Sequence, residues 1–255
     1  MSSRDEFLNK FKYKSSTDSK IKHIIAVVSG KGGVGKSLVT ALTAIELRRR
    51  GYKVGIMDAD ITGPSIPHVF GLKTTMMATD NAILPVASRT GIEIVSSNFL
   101  LEDPAKPIIW RSPMITSIIK QFYEDVLWGD LDYLLIDLPP GTGDVPLSIF
   151  QSLSLAGIIV VKTPQTLVDM IVKKSINMAD TMEVPVLGVV ENMSYIVCDN
   201  CGHKVYLYGE RKDDSVTARL PIDPKIAEMC DQGDVEGLVV EAIEPLINDI
   251  IKEVE

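Results

Sequence analysis

Short, nearly continuous apolar runs recur along this chain near residues 24–28, 53–57, 92–96, 133–137, 157–162 and 186–190. Ile158 to Val161 reads IIVV and Tyr133 to Ile136 reads YLLI, without the every-other-residue alternation of a half-exposed strand. Strands buried on both faces have this pattern. Helical segments lie between them, beginning with Leu38 to Arg50. That order predicts an α/β fold: a mostly parallel sheet with helices on both faces, plus a short cysteine-bearing hairpin or turn. Near the end, Leu238, Val239, Ile243, Leu246, Ile247 and Ile250 fall at three- and four-residue intervals and predict one core-facing helix over about 235–252. Residues 1–21 are polar and predict a flexible tail, with a short helix around Phe7 to Tyr13. The remainder, 22–255, reads as one domain that includes the cysteine segment 196–208.

The first apolar run leads into GKGGVGKS, Gly30 to Ser37, which satisfies G-x-x-x-x-G-K-[ST] ahead of a helix. Gly32, Gly33 and Gly35 let backbone N–H groups turn inward around a phosphate, and the following helix adds its N-terminal dipole. Val34 completes the loop. Lys36 then meets the β- and γ-phosphates, and Ser37 places its hydroxyl on Mg²⁺. Lys31 is a second lysine that an ordinary phosphate loop does not need. It can reach a phosphate held by another loop, which implies a nucleotide-dependent dimer.

Carboxylates end two other apolar runs. Asp137 closes YLLID, where a strand-end aspartate orients Mg²⁺ and its water. Gly141 and Gly143 after it suit a mobile segment that senses the γ-phosphate. Asp58 and Asp60 sit in MDADITGPS, which a parallel sheet also opens toward the nucleotide. Asp60 is assigned to the attacking water and Asp58 to the Mg²⁺ shell, with a turn-forming role as the alternative for one of them. Asn192 follows the run at 186–190 and either reads an adenine edge or forms an Asx-turn.

The chain has 255 residues, 45% of them hydrophobic, enough for a full core, and a formal charge of −8. That charge argues against indiscriminate nucleic-acid binding. No apolar run approaches a membrane span, and the polar residues of the last segment are mainly acidic, unlike those of a membrane-surface helix. Three cysteines, an odd number, argue for a reducing cytoplasm. Cys198 and Cys201 form C-D-N-C, which suits zinc, an iron–sulfur cluster or a redox pair. Two thiolates are half of a four-ligand set, and two chains meeting across a two-fold axis complete it. His203 is the in-chain alternative as a third ligand, and Cys230 reads as a small buried apolar residue.

Taken in order, GKGGVGKS, DADITGPS, YLLIDLPPGTGD, TPQ (Thr163 to Gln165), ENMSY with CDNC, and LPIDP (Leu220 to Pro224) resemble the Mrp/ApbC-type ATPases. These are cytosolic iron–sulfur cluster carriers of the MinD/ParA class, and the resemblance runs from His23 to the end. It implies a homodimer that binds and hydrolyses ATP, slowly, with Lys31 at the partner's nucleotide. It also implies a labile 4Fe–4S cluster bridged by Cys198 and Cys201 of both chains and handed to apo iron–sulfur proteins. Under it Lys31, Lys36, Ser37, Asp60 and Asp137 keep the roles above, and Asn192 takes the adenine. Three features depart from the family pattern. The tail lacks the N-terminal domain or cysteine cluster of many relatives, so a second stable cluster is not expected. The run at Trp110 reads WRSPM with Ser112 in place of glycine, and Asp-Asn occupies the cysteine turn where proline is common. A MinD/ParA-like positioning ATPase shares the loop but leaves the cysteines idle. A zinc-bridged dimer without cluster transfer uses the same ligands.

Overall fold

The computed structural model describes residues 12–14, 16, 18–78, 82–100, 112–210 and 213–255. The helix expected around Phe7, and Trp110 with Arg111, lie outside them. The strands are β1 (Lys20–Ser29), β2 (Val54–Asp58), β3 (Met77–Ala78), β4 (Ile83–Leu84), β5 (Val86–Ala87), β6 (Glu93–Ser96), β7 (Asp130–Asp137), β8 (Gly157–Lys162), β9 (Val186–Val197), β10 (Lys204–Val205) and β11 (Ala218–Pro221). The helices are α1 (Lys36–Arg49), α2 (Ile66–Val69), α3 (Ser112–Glu124), α4 (Asp144–Ser152), α5 (Thr166–Thr181), α6 (Pro224–Asp231) and α7 (Glu244–Val254).

Among the described strands, one sheet runs β10-β9-β8-β1-β7-β2-β6-β5, with β11 also on β9 and the β3–β4 hairpin apart. From β9 to β6 the neighbours are parallel, whereas β10 and β5 are antiparallel edges. The two-faced burial read from the apolar runs follows from this position. Ile25 and Val27 of β1 pack with α1, α2, α6 and α7, while Ile24, Ala26 and Val28 pack with α3, α4 and α5. Both faces are covered, so successive residues must all be apolar.

Three boundaries differ from those expected. Strand β1 begins at Lys20, inside the stretch assigned to a tail, and pairs Lys20 with Asp130. Upstream, the Tyr13 amide donates to the Ser152 carbonyl at 3.0 Å and its hydroxyl lies 2.9 Å from Ser148 Oγ. The single helix over 235–252 is replaced by two 3₁₀ turns, Val235–Gly237 and Glu241–Ile243, and then α7. Pro245 in the first turn of α7 explains this, because a proline is tolerated there but breaks a helix interior. Val239 is consequently 75% exposed rather than core-facing. Finally, β9 continues past Val190 to Val197, with Met193 at a positive φ of 58°. One strand therefore joins Asn192 to the residue before Cys198.

Candidate functional site

The phosphate loop leaves the end of β1 and enters α1 through Gly35, which caps the helix at φ 83°. Gly33 has φ 76°. Both angles favour glycine, and a Cβ on Gly35 would collide with Asn192 Nδ2. The loop is tied from three sides. Asn192 Nδ2 donates to the Val34 carbonyl at 2.9 Å, Ser29 Oγ to the Lys31 carbonyl at 3.2 Å, and the Gly141 amide to the Ser29 carbonyl at 2.8 Å. Among the described residues no side chain caps the first turn of α1. Its amides are thus left for an anion, and the dipole favours one. Lys31, Gly32, Gly33, Val34, Gly35, Lys36 and Ser37 line a cavity of about 530 Å³ together with Asp60 and Asn192. Gly30 opens the loop directly after Ser29. Pro221, Ile222 and Asp223, from the LPIDP run, form part of another wall.

Strand register brings the acids to this loop. Asp58 lies beside Asp137, and Asp137 beside Val27 of β1. Ser37 Oγ donates to Asp137 Oδ2 at 2.6 Å, and Thr40 Oγ1 to Asp137 Oδ1 at 2.8 Å. Lys36 Nζ is 2.8 Å from Asp137 Oδ2 and 4.0 Å from Asp60 Oδ2. It is an ion-pair contact without an aligned hydrogen bond, so this buried ammonium still has N–H directions to offer. Asp58 is fully buried and accepts from Ser96 Oγ at 3.0 Å and from the Asp60 amide at 3.3 Å. Burial, reinforced by the Asp137 charge and opposed by Lys36, pushes its pKa up to about 8. Burial also raises Asp60, again against Lys36.

Among the described residues, Asp58, Asp60 and Asp137 thus gather around the one ammonium of Lys36. A hydroxyl beside carboxylate oxygens is the donor set that Mg²⁺ takes, so the residues fit a nucleotide-bound Mg²⁺. Asp58 and Asp137 are both fully buried side by side, whereas Asp60, 16% exposed, lines the cavity. Asn192 is in the strand rather than after it, with its carboxamide engaged at both ends, to Val34 and to the Met193 amide.

Lys31 does not point freely outward. Its ammonium donates to Gln165 Oε1 at 2.7 Å, and Gln165 Nε2 donates to the Tyr208 hydroxyl at 3.0 Å.

The cysteine pair lies at the other end of β9. The Cys198 amide donates to the His203 carbonyl at 2.9 Å and the Gly202 amide to the Cys198 carbonyl at 2.8 Å, closing a turn in which Gly202 has φ 71°. Cys198 is half-buried and Cys201 exposed. Amide hydrogen bonds from Asn200 and Cys201 hold the Cys198 thiol below its ordinary pKa, which favours the thiolate that binds metals. Around the turn, Ile196, Val197, Val205, Leu207 and Tyr208 are exposed. Among the described residues no three potential ligands gather into a metal site within the chain. Cys230 is elsewhere, half-buried on α6 at the wall of the nucleotide cavity, its thiol pKa raised by burial.

Sequence reasoning missed Thr40, Ser96 and Gln165. Thr40 had a signal, since it lies one helical turn after Lys36 and faces the same carboxylate. Ser96 ends a strand beside Asp58 and shows only through register. Gln165 meets Lys31 across 134 positions, a contact that local pattern does not reveal.

Residues 20–255 match the family described as ParA: NUBPL iron-transfer P-loop NTPase. The chain is 43% identical over 237 residues to an iron-sulfur cluster carrier protein of Clostridium perfringens, covering 87% of this chain and 83% of that protein. It is 44% identical over 225 residues to the cytosolic Fe-S cluster assembly factor CFD1 of Saccharomyces cerevisiae, covering 82% and 77%. A solved structure of a nucleotide-binding protein from Archaeoglobus fulgidus in complex with ADP superposes with a TM-score of 0.76. It is 46% identical, with 85% of this chain and 88% of that one covered. The chain belongs to the NUBPL iron-transfer P-loop NTPase family. Among the described residues no helix is long and apolar enough to cross a membrane.

Proposed function

We propose that this member of the family is an ATP-binding iron–sulfur cluster carrier that works in the cytoplasm as a homodimer and hydrolyses ATP slowly. Two chains hold a labile 4Fe–4S cluster through Cys198 and Cys201 of each and pass it to apo iron–sulfur proteins. The observation that carries this reading is an asymmetry: one chain holds a phosphate cradle but, among the described residues, only the Cys198–Cys201 pair toward a metal site. The exposed apolar residues beside the cysteines support a second copy as the other half, because a cluster between two chains needs a surface that excludes water.

In this reading the loop amides and Lys36 hold the phosphates, while Ser37 and Asp137 hold Mg²⁺ with Asp58 beside Asp137. Bound Mg²⁺ neutralises charge on the β- and γ-oxygens. Asp60, facing the cavity with a raised pKa, orients water and takes its proton. Lys31 supplies its charge to the partner's phosphates. Asn192 keeps one amide N–H on Val34, and its second N–H is the one left for the adenine edge. The chain works as one domain from β1, which begins at Lys20, to its last helix, and 196–208 is its cargo segment.

Anaerobic reconstitution with iron and sulfide tests the reading, comparing the native chain with Cys198→Ala/Cys201→Ala. The expected result is about four irons per dimer with a broad visible charge-transfer band, both lost in the variant. Zinc alone, or equal iron in both proteins, overturns it.

A further inference from the structure

The TPQ segment, Thr163 to Gln165, has no role in the chemistry above. Gln165 nevertheless stands between the two ends of the molecule. It occupies the N-cap of α5, its carbonyl oxygen accepts from Lys31 at 2.7 Å, and its amide nitrogen donates to the Tyr208 hydroxyl at 3.0 Å. Tyr208 lies three residues past β10, the returning strand of the cysteine hairpin.

We propose that Gln165 is a positioning residue that fastens the cysteine hairpin to Lys31, so that a triphosphate drawing Lys31 away also loosens the hairpin. The proposal rests on the assignment of Lys31 to a nucleotide phosphate.

The energetics favour that exchange. In this structure the Lys31 ammonium is bonded to a neutral amide, and a polyphosphate offers it charged oxygens. The bond to Gln165 is charge-assisted through its donor alone, whereas a phosphate oxygen is charged as well and adds the full Coulomb attraction, so the lysine leaves Gln165 when a phosphate comes within reach. Without the lysine, the Gln165 carboxamide is no longer held in one orientation, and Tyr208 loses its aligned donor.

The loosening is local because other fastenings do not involve Gln165. Lys162, at the end of β8, binds Asp213 at 2.7 Å beyond the hairpin. On the near side, Lys204 lies over the Tyr195 ring at 4.4 Å, and Tyr195 packs on Tyr206 with ring centroids 5.8 Å apart. The hairpin is thus held at its root and released at Tyr208. In a carrier this couples ATP binding to how firmly Cys198 and Cys201 are placed.

Hydrogen exchange of the full-length, iron-free protein tests this, read by mass spectrometry across 198–209 with and without a non-hydrolysable ATP analogue and Mg²⁺. In the native chain the analogue is expected to speed exchange of these amides about 5-fold, the scale of one lost hydrogen bond. Gln165→Ala and Tyr208→Phe should exchange that fast without nucleotide and respond to it less than about 2-fold. Gln165→Glu should restore slow exchange, since a carboxylate accepts from both Lys31 and the tyrosine hydroxyl. A native hairpin indifferent to the analogue, a Gln165→Ala variant that behaves like the native chain, or no rescue by glutamate each overturns the proposal. No iron is present, so this outcome stands apart from the cysteine-dependent reconstitution that decides the carrier reading.

Discussion

The nucleotide end and the cysteine end of β9 are built on opposite plans. At Asn192 the strand is buried between neighbours, and the Asp137 carboxylate and Asn192 carboxamide are held by residues of the same chain. Asp137 receives Ser37, Thr40 and Lys36, and Asn192 pins Val34. At Cys198, roughly 20 Å further along an extended strand, the hairpin is short, with exposed apolar residues and two unpaired cysteines. A phosphate is held by amides that only a rigid local backbone can aim. A cluster in transit has the opposite requirement. In the proposed reading the site is made of two halves and opens when they part, so cargo would leave without dismantling either fold. Under the proposed function the first end is prebuilt for a ligand that turns over in place, and the second for one that departs.

The largest effect that sharpens this contrast falls on Lys31, which belongs to neither end alone. Lys31→Ala should lower kcat about 10³-fold, the scale of a charge supplied in trans, while ATP affinity stays near its native value. Steady-state turnover beside equilibrium binding checks this, and unimpaired turnover removes Lys31 from the reaction.

Lys36→Ala acts on binding. Loss of charge-assisted contacts to phosphate should weaken ATP about 100-fold, measured calorimetrically, with cluster assembly in the absence of nucleotide unchanged. Gly35→Ala strikes the brace between the ends. Its new Cβ would meet Asn192 Nδ2 at a backbone angle that disfavours alanine. We expect about 10-fold weaker nucleotide binding. Equal losses of nucleotide and iron in either variant would break the contrast, since the two ends would then share one structural fate.

Much of the nucleotide end was legible because its chemistry is local. GKGGVGKS carries loop, lysine and hydroxyl in eight residues, and Asp58 and Asp137 each end an apolar run, so parallel register alone brings them together. The extension of β9 was hidden because Glu191 and Asn192 interrupt the apolar run that marks a strand. They are tolerated there because both find partners, Glu191 accepting from Ser194 Oγ at 2.6 Å and Asn192 bonding to Val34. The overlong last helix shows the converse error: spacing from Leu238 onward has the helical period, but Pro245 admits a helix only from its own turn. The Lys31–Gln165–Tyr208 chain was not legible at all, because tertiary folding alone brings those residues together.

The smallest expected effect concerns what keeps the cysteine end attached. Lys162 holds Asp213 well below the usual carboxylate range, at about 2, aided by Ser215. The folded pKa is depressed, so its stabilisation is complete above the unfolded value near 4. It is lost as pH falls from there through about 2. The side chain is 34% exposed, so solvent screening limits the contribution to about 1 kcal/mol. Asp213→Asn should therefore lower Tm by about 2–4 °C at neutral pH and flatten the acid limb of the stability curve between about pH 4 and 2. Nucleotide affinity should not move, because Asp213 contacts neither the loop nor its acids. An acid limb as steep as that of the native chain would show that Asp213 is not what the acid titrates. The root of the hairpin would then rest on the Tyr195, Lys204 and Tyr206 contacts alone.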